Sequence, residues 1–486
     1  MSQATSAVAE AFKSGKSQHG TSLLIGEVIR AAAERYPNAV AAALGDQQVT
    51  FGEVAERAEQ LAGALLRAGV RRGERVAWWA ETSLDTIPLY FALAHIGGVF
   101  VPLNPRYTDA ECRMVLAKAD ARLVLTDNGR GGHTRLKDLL SNAAPAPLGD
   151  VEVAETDPFI FFFTSGTTGE PKACVLSHRT ERLRAGTGSN YPLGATICMF
   201  PQFHMAGWAF ALRTWLSGDT MVYVERPDAQ ALLEAVTRHR ANEIYCIPAV
   251  WQRILEADRG GYDLWSLLVA NTGTSATTPE LLAGIADICP RAKTVVVYGS
   301  TEAGSVCLLS PQDIRRKPGS VGLASPGVNL RIDASGELCV RSPYLFSGYF
   351  RNDEATASAL NDGWYRTGDL AERDAEGYYY IIGRAKDLIR TGGETVAPVE
   401  VDLVLQSHPD IQDAAVVGVP DDRWGEIIAA FVVPRAGRSL DLEGLRRHCD
   451  GKLAPHKHPR QLYLVEALPR TGSTAQIQRR LLLGLR

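Results

Sequence analysis

The sequence predicts an α/β protein with a large N-terminal domain of mostly parallel sheets covered by helices, followed by a small α+β C-terminal domain. Its 486 residues exceed the length of one ordinary domain. Helical patterns alternate with short β-branched runs through most of the chain, which is typical of parallel sheets. This alternation of helix-like and strand-like segments changes near Arg384. We therefore expect a disordered tail at 1–22, the large domain at 23–384 and the small domain at 385–486.

The alternation of helices and strands begins early in the chain. The segment EVAERAEQLAGALLRAGV (53–70) has apolar residues at helical spacing and a glycine near its end, which predicts a helix. A strand-like ERVAWWA follows, and a second helix is expected around Leu89–Ile96. Two more strand-like runs, VFVPLN (99–104) and ARLVLTD (121–127), continue the alternation. This order favours a parallel sheet covered by helices.

Two later changes in composition divide the chain. Residues 142–158 are acidic and rich in Ala and Pro, which predicts a linking loop before a Phe-rich strand. The strand and helix alternation resumes from 159 to about 382. Its strand-like runs are TMVYVE (220–225), EIYCIPA (243–249) and TVVVYG (294–299). After GRAKD (383–387) the strands AAVVGV, EIIAAFVV and QLYLVEA surround one helix near 441–453, which indicates a compact second unit.

The composition excludes several classes of function. A net charge of −4, from 51 basic and 55 acidic residues, gives no strong field for nucleic acid or anionic lipid. The first residues lack the apolar core of a signal peptide, and no apolar run approaches the ~18 residues of a membrane span. The eight cysteines are scattered without metal-ligand spacing, which is typical of reduced thiols. We expect a soluble cytoplasmic protein, monomeric or homodimeric.

The stretch FFFTSGTTGEPK (161–172) suggests an anion-binding loop. Hydroxyl residues and glycines follow a buried strand, and Lys172 adds a positive charge. Such groups suit a polyphosphate, because anions bind backbone amides and hydroxyls that turn inward. The loop is not a Walker loop, since G-x-x-x-x-G-K-[ST] is absent. A solvated surface loop is the alternative for any run rich in Thr, Ser and Gly.

Further motifs decide between these interpretations. The string TSGTTGEPKACVLSH resembles the phosphate loop of the adenylate-forming superfamily, which contains acyl- and aryl-CoA synthetases, luciferases and peptide-synthetase adenylation domains. Other motifs of that superfamily follow in order along residues 25–480. They are PQFHMAGW (201–208), NTGTSATTPEL (271–281), YGSTEAG (298–304), WYRTGDLA (364–371), GRAKDLIRTGGETVAPVEVD (383–402) and the region from DDRWGE to LPRTGS. The chain is thus identified as a member of this superfamily.

The resemblance implies roles for the residues that match its phosphate motifs. The ATP phosphates would be held by Thr164, Ser165, Gly166, Thr167, Thr168, Gly169 and Lys172. Glu302 would ligate Mg²⁺, and Thr301 would contact the α-phosphate. Outside such a motif, a single exposed glutamate is usually only solvated.

The nucleoside would be bound by other motifs of the same family. Asp369 would accept hydrogen bonds from the ribose hydroxyls, and Arg384 would reach the ribose from the domain boundary. Tyr298 would stack on adenine, although it is equally consistent with a core aromatic at a strand end. The adenine edge would be lined by Gly273, Thr274, Ser275, Gly299 and Ser300. The family more often has Gly-Ala-Pro where this chain has Thr274-Ser275-Ala276, a departure that affects side-chain contacts there.

The remaining motif residues would bind the substrate acid, form the hinge between the domains and give passage to CoA. His204, Ala206, Gly207 and Trp208 would line the acyl pocket, with His204 shaping the substrate site and not transferring a proton. Small residues beside one Trp suit an aromatic or a medium-length aliphatic acid. Lys386 occupies the family's hinge, which implies that the small domain is mobile and rotates between half-reactions. Gly392 and Gly393 would give passage to CoA, or form an ordinary glycine turn.

The last motif departs from the family pattern. Family members usually read P-[KR]-T-x-x-G-K-[IV], and that lysine bridges the substrate carboxylate and the α-phosphate during adenylation. In LPRTGSTAQIQRR (468–480), Gln476 stands at the position of the catalytic lysine and carries no charge. Three explanations are open: an introduced replacement, an enzyme that adenylates weakly or uses another cation, or a protein that has abandoned the reaction.

The expected activity is that of an ATP-dependent acid–thiol ligase, an acyl- or aryl-CoA synthetase. ATP, Mg²⁺ and coenzyme A are the cofactors that the resemblance implies, and a small carboxylic acid is the substrate. The acid would attack the α-phosphate, pyrophosphate would leave, and the acyl-adenylate would pass its acyl group to CoA with release of AMP. Two alternatives are transfer to a carrier-protein thiol, an amine or another nucleophile, and a nucleotide-binding homologue with impaired catalysis.

Overall fold

The structure, a computed structural model, describes residues 23–141, 151–165, 170–186, 194–471 and 476–486. The expected tail at 1–22 and most of the expected linker, 142–150, lie outside the described residues. The helices are α1 (Gly26–Arg35), α2 (Phe51–Arg67), α3 (Thr86–Ile96), α4 (Asp109–Ala119), α5 (Leu136–Ser141), α6 (His178–Gly186), α7 (Met205–Leu216), α8 (Ala229–His239), α9 (Pro248–Glu256), α10 (Pro279–Ile288), α11 (Asp353–Ala359), α12 (Pro398–Gln406), α13 (Leu442–Cys449) and α14 (Arg479–Leu482).

The strands are β1 (Val40–Leu44), β2 (Gln47–Thr50), β3 (Arg75–Trp78), β4 (Val99–Pro102), β5 (Ala121–Thr126), β6 (Thr134–Arg135), β7 (Pro158–Ser165), β8 (Pro171–Ser177), β9 (Ala195–Cys198), β10 (Thr220–Tyr223), β11 (Glu243–Tyr245), β12 (Val269–Gly273), β13 (Val296–Ser300), β14 (Gly304–Leu309), β15 (Leu323–Ala324), β16 (Asn329–Ile332), β17 (Glu337–Arg341), β18 (Gly348–Tyr349), β19 (Leu360–Asn361), β20 (Trp364–Arg373), β21 (Tyr379–Arg384), β22 (Ile389–Thr391), β23 (Glu394–Val396), β24 (Ile411–Asp421), β25 (Gly425–Pro434) and β26 (Gln461–Leu464).

Two large sheets of mostly parallel strands form the first part of the molecule. The seven-stranded sheet has the order β18-β8-β7-β4-β3-β5-β6, and the nine-stranded sheet has the order β15-β14-β13-β12-β11-β9-β10-β1-β2. Neighbours along the middle of each sheet are parallel. Strands at the edges pair antiparallel, except that β6 is parallel to β5. This arrangement confirms the predicted α/β class. The carboxyl ends of the parallel strands are where such sheets bind ligands.

A third sheet departs from the sequence-based expectation of continued helix and strand alternation up to about residue 382. Strands β16, β17, β20 and β19 form an antiparallel sheet, and β21 pairs with β20. Antiparallel neighbours need only short turns, so no helix separates most of these strands. The sequence between β13 and β21 accordingly contains one short helix, α11.

The C-terminal strands form a sheet of their own. Its order is β23-β22-β25-β24, with β26 parallel to β25. Helices α12 and α13 pack on it, and its buried side chains form hydrophobic clusters separate from the large core that fills the first part of the chain. The predicted strands EIIAAFVV and QLYLVEA correspond to β25 and β26.

Aromatic side chains dominate the large core. Tyr90 of α3 stacks on Trp208 at a ring distance of 4.1 Å, and the rings of Phe100 and Phe159 contact Tyr90 edge-on. All but one residue of α3 are buried, because the helix is enclosed on every side and not amphipathic. None of the helices that the structure describes combines the length and apolar character needed to cross a membrane.

Removing the Trp208 ring should therefore destabilise the protein. Trp208 is fully buried, and its Nε1 donates a hydrogen bond to the carbonyl of Gln202. We expect Trp208→Ala to lower the free energy of unfolding by about 3–5 kcal/mol, the typical cost of such a cavity. Urea denaturation measures it, and Trp265→Ala is the matched control because that indole is 61% exposed. Equal urea midpoints for the two variants would contradict this packing.

Candidate active site

A cavity of about 1520 Å³ extends from the carboxyl ends of strands in the two large sheets to the amino ends of β11 and β12. Its wall also includes residues of the antiparallel β17–β21 sheet and of the chain that precedes α14. The predicted site residues on this wall are Thr164, Lys172, His204, Ala206, Thr274, Gly299, Ser300, Thr301, Glu302, Asp369, Arg384, Lys386 and Gln476. Residues far apart in sequence are thus brought to one cavity.

The predicted phosphate loop connects β7 and β8. These strands pair antiparallel in a register that sets Thr164 opposite Lys172, so both side chains project from one face of the hairpin. The Lys172 ammonium lies 5.2 Å from the centre of the Tyr349 ring. Gly166, Thr167, Thr168 and Gly169 lie outside the described residues, and only the backbone of Ser165 is described.

Glu302 is a buried carboxylate that bonds to hydroxyl groups. Its exposed fraction is 8%. Its Oε1 accepts hydrogen bonds from Tyr349 Oη at 3.0 Å and from Thr164 Oγ1 at 3.4 Å. Burial and this carboxylate raise the pKa of Tyr349, so the phenol stays protonated and donates. Within the described ranges Glu302 makes no ion pair, which leaves a buried anion able to receive a cation.

Arg184 of α6 fixes the backbone around Glu302, a role that no sequence motif indicated. Its guanidinium donates to the carbonyl oxygens of Thr301, Glu302 and Tyr344, at 2.7–3.0 Å. Glu181 lies 3.7 Å from it and is buried as well. Burial raises the pKa of Glu181 to about 7 and lowers that of Arg184, while each opposes the shift of the other.

Tyr298, Asp369 and Arg384 form a second polar group on the cavity. Tyr298 Oη donates to Asp369 Oδ2 at 2.6 Å, and Arg384 Nε lies 3.0 Å from Asp369 Oδ1. Burial and the Asp369 charge raise the pKa of Tyr298. Residues Asp369 and Arg384 are direct partners across β20 and β21. Tyr298 itself does not line the cavity, and its hydroxyl is committed to Asp369.

The end of β12 approaches its neighbours too closely for a side chain. A Cβ on Gly273 would lie 2.0 Å from the carbonyl oxygen of Val297, so only glycine fits. Thr274 follows with a positive φ of 69°, and its carbonyl oxygen accepts a hydrogen bond from Gln476 Nε2 at 3.1 Å. Ser275 is exposed and does not line the cavity. Gln476 thus reaches the wall formed by the large sheet.

His204 is a helix cap. It precedes α7, and its Nδ1 accepts a hydrogen bond from the backbone N–H of Ala206 at 3.2 Å. Burial lowers the pKa of His204 to about 4. The ring is therefore neutral at physiological pH, and it stacks on Phe200 with ring centres 5.2 Å apart.

Two residues predicted for the acyl pocket lie elsewhere. Trp208 faces the core on the buried stripe of α7 that continues at Ala211, Leu212 and Trp215. Gly207 is buried where a Cβ would lie 2.8 Å from the carbonyl oxygen of Pro201. Neither residue lines the cavity, because both lie on the face of α7 that points away from it. The assignment of Trp208 and Gly207 to the pocket wall is therefore corrected.

The opposite face of α7 supplies wall residues that the motifs missed. Its cavity-lining residues are Met205, Ala206, Ala209, Phe210 and Arg213, a spacing of one helical face. Facing them, Glu243 and Tyr245 on β11 and Val269 and Asn271 on β12 line the cavity at alternate positions. The alternation of these strands and the helical spacing of α7 were readable in the sequence, but which face met a cavity was not.

The hinge and the glycine pair lie in the C-terminal part. Lys386 lines the cavity from a short 3₁₀ turn, and burial together with the nearby Arg384 lowers its pKa. Gly392 and Gly393 form the two-residue turn between β22 and β23, with φ of 63° and 85°. Both values require the left-handed region, so this turn selects glycines. Neither glycine lines the cavity.

Comparison with known families agrees with the motifs and the fold. The AMP-binding enzyme family matches residues 29–350, and the C-terminal domain of AMP-binding enzymes matches residues 400–474. The chain belongs to the AMP-binding enzyme family. This result confirms the resemblance to adenylate-forming enzymes.

Several similar proteins are CoA ligases. The chain is 33% identical to the indoleacetate–CoA ligase of Aromatoleum aromaticum, an alignment covering 90% of this chain and 93% of the relative. It superimposes with a TM-score of 0.86 on the anthranilate CoA ligase in complex with anthranoyl-AMP, at 25% identity, covering 95% and 96% of the two chains. O-succinylbenzoate coenzyme A synthetase from Bacillus subtilis, with ATP and magnesium ion, gives a TM-score of 0.84 at 25% identity and coverage of 93% and 98%.

The neutral state of His204 predicts a pH effect on stability. Its pKa of about 4 lies below the unfolded value near 6.5, so the unfolded chain binds more protons between these values. Stability therefore falls as pH drops from 6.5 towards 4. His204→Asn keeps a capping acceptor and removes this titration, and the loss of unfolding free energy between pH 6.5 and 4.5 should shrink by about 1–2 kcal/mol.

Urea denaturation at several pH values measures this effect. His456→Asn is the control, since that histidine lies in the turn after α13 and away from the cavity. An unchanged pH dependence in His204→Asn would show that the ring is not held neutral by the fold.

Proposed function

We propose that this protein is an ATP-dependent carboxylic acid–CoA ligase that works through an acyl-adenylate. The observation that carries the proposal is one cavity in which Glu302, Thr164 and Lys172 stand at one side and Asp369 with Arg384 at another. The similar proteins reported above are CoA ligases, and the similar solved structures include one with ATP and magnesium ion and one with an acyl-adenylate, which supports this proposal.

ATP is assigned to the part of the cavity between these two groups. Lys172, Thr164 and the loop that follows are proposed to bind the β- and γ-phosphates, and Thr301 the α-phosphate. Asp369 is proposed to accept from the ribose hydroxyls, with Arg384 holding its carboxylate in place at 3.0 Å. The adenine is assigned to the edge formed by Gly273, Thr274 and Gly299, with Tyr298 behind it.

Magnesium fits the Glu302 environment. The buried Glu302 carboxylate bonds to two hydroxyl groups, and Mg²⁺ typically takes one or two carboxylates and substrate phosphates. Within the described residues no group of three or more His, Cys, Asp or Glu side chains could hold a metal, which suits a site completed by phosphates. When bound, the ion supplies neutralisation of phosphate charge.

The first step is in-line attack of the substrate carboxylate on the α-phosphate, with pyrophosphate leaving. Positioning and charge neutralisation account for its catalysis, and no protein nucleophile is required. Neutral His204 at the cavity wall then shapes the acid site and does not transfer a proton. In the second step the CoA thiolate attacks the mixed anhydride and AMP leaves.

The second step is proposed to follow a rotation of residues 385–486 relative to residues 23–384. Lys386 stands in a turn that directly follows the last strand of the antiparallel β17–β21 sheet, a position typical of hinges. The Gly392–Gly393 turn is the proposed passage for the CoA arm. We place the reaction in the cytoplasm, supported by eight cysteines that are all buried free thiols.

One observation favours a second candidate, a homologue with weak adenylation. Gln476 reaches the wall of the cavity from the C-terminal part and brings no charge to it. The retained Glu302, Lys172, Asp369 and Arg384 favour an active enzyme with a slow first step over a protein that only binds nucleotide. Transfer to a carrier-protein thiol in place of CoA is tested by the same assays with that acceptor.

Loss of one phosphate-side group should reduce adenylation. We expect Lys172→Ala and Glu302→Ala each to lower acid-dependent pyrophosphate release by ~10²–10³, the typical cost of one electrostatic partner of a transition state. Lys137→Ala is the control, because that lysine is exposed and does not line the cavity. Release at the wild-type rate from Lys172→Ala or Glu302→Ala would remove the assignment of this side of the cavity to ATP phosphates.

Restoring a lysine at position 476 should accelerate the first step. We expect Gln476→Lys to raise the rate of pyrophosphate release by ~10²-fold or more. Thioester formation from presynthesised acyl-adenylate should stay the same, since the rotated domain has carried position 476 away. Gln478→Lys, a cavity residue two positions along, is the control and should give no gain. If both variants release pyrophosphate at the wild-type rate, a different residue of this protein performs the role of the family's catalytic lysine.

A further inference from the structure

The end of the cavity remote from Gln476 carries cationic side chains that the reaction described above does not use. Arg213, Arg291 and Lys293 line this end. Among the described residues that line this end, Glu243 carries the acidic side chain. A purely apolar acid that filled this end would cover the exposed Lys293 charge without giving it a partner, which is costly.

Strand register places these groups in one row across the sheet. Glu243 is the partner of Val269, and Val269 is the partner of Lys293 on its other side. Strands lie about 4.8 Å apart, so Glu243 and Lys293 are separated by about 10 Å. The row lies four residues before Gly273, which is about 13 Å along the strand from the end where Gln476 contacts Thr274.

The negative charge in this row is already neutralised. Glu243 has an exposed fraction of 1%, pairs with the Arg213 guanidinium and accepts from Asn271 Nδ2 at 3.1 Å. Lys293 is exposed, and its ammonium makes no ion pair or hydrogen bond with the residues that the structure describes. The row therefore presents an excess positive charge to the cavity.

The stretch between this row and Gln476 is walled by aromatic rings. Tyr245 lies with its ring centre 5.3 Å from Phe200 and 5.1 Å from Phe210, and all three line the cavity. Arg213 extends beyond them, with its guanidinium 5.1 Å from the Phe210 ring centre. Flat aromatic walls favour an aryl group by edge and stacking contacts.

We propose that the acid activated by this enzyme contains an aryl group and carries a second carboxylate at its remote end. The aryl group lies between Phe200, Phe210 and Tyr245, and the second carboxylate lies at Lys293 with the spare donors of Arg213. This inference rests on the ligase function proposed above and specifies its substrate class. Lys293 and Arg213 are then the residues that select the remote group.

Binding of three adenylate analogues to the wild-type protein tests this proposal without requiring turnover. The probes are 5′-O-sulfamoyladenosine acylated with 4-phenylbutanoate, with its para-carboxylate derivative, or with the para-methyl ester. Isothermal titration calorimetry should give the para-carboxylate probe a Kd at least about tenfold lower than that of either neutral probe. Raising the salt concentration should narrow this difference, because Lys293 is exposed.

Charge variants identify the selecting residue. Lys293→Gln should remove most of the advantage of the para-carboxylate probe and leave the neutral probes unchanged. Lys293→Glu should instead prefer a fourth probe that has a para-aminomethyl group. Lys137→Gln, at another exposed lysine, is the control. Lys293 is chosen over Arg213 because Arg213→Gln would leave Glu243 buried without its cation, which destabilises the fold.

The outcomes separate this inference from the function on which it rests. Equal affinity for all three probes in the wild type would overturn the second carboxylate and leave the ligase function standing. The role of Lys293 would be overturned if Lys293→Gln still preferred the para-carboxylate probe and Lys293→Glu did not prefer the para-aminomethyl probe. Failure of every probe to bind folded wild-type protein would overturn both the inference and the adenylate site.

Discussion

The guanidinium of Arg184 joins three sheets at the floor of the cavity. Arg184 belongs to α6, which follows β8 of the seven-stranded sheet, whereas its acceptors at residues 301–302 lie between β13 and β14 of the nine-stranded sheet. Tyr344, its third acceptor, follows β17 of the antiparallel β17–β21 sheet. A planar guanidinium with five donors can satisfy several carbonyls at once, which an ammonium group does less well. The relative placement of the three sheets, and with it the shape of the cavity, depends on this buried side chain.

The same side chain determines the electrostatics of the site. By holding the carbonyl of residue 302, Arg184 sets where the Glu302 carboxylate emerges. Hydroxyl donors from Thr164 and Tyr349 bond to the Glu302 carboxylate, and the buried Arg184 guanidinium attracts it electrostatically. The surroundings of Asp369 differ, because Arg384 forms an ion pair with it and Tyr298 donates a hydrogen bond to it. One carboxylate is thus arranged to receive a cation and the other to accept hydrogen bonds, although both are buried.

Sequence reasoning recovered what depends on local chemistry and missed what depends on packing between distant segments. The motif residues Thr164, Lys172, Glu302, Asp369 and Arg384 all line the cavity. Thr164 and Lys172 face each other where β7 ends and β8 begins, and Asp369 faces Arg384 across β20 and β21, so strand pairing brings each pair together. Arg184 carried no signal, since its partners are backbone carbonyls that any sequence supplies.

The error at Trp208 has a specific physical cause. A tryptophan next to a substrate motif was assigned to the pocket from its position in sequence, yet one residue of helix advance turns a side chain by about 100°. The apolar residues at 208, 211, 212 and 215 follow the core-facing stripe, whereas the smaller residues at 206 and 209 face the cavity. Helical spacing alone gives two faces, and only the neighbouring sheet decides which of them is the core.

A lysine at position 476 could both donate a hydrogen bond to the large sheet and attract anions, whereas Gln476 can do only the first. The segment that carries it is anchored within the C-terminal part, by Arg470 to Asp413 at 2.6 Å and by Arg479 to the buried Asp402. From there the Gln476 amide donates to the Thr274 carbonyl, so contact between the C-terminal part and the large sheet needs no charge. What the amide cannot supply is attraction between two anions, a substrate carboxylate and the α-phosphate, which repel each other as they approach. The contact with Thr274 is thus kept without a charge, and on the function proposed above the attraction between the two anions would have to come from other cations of the cavity.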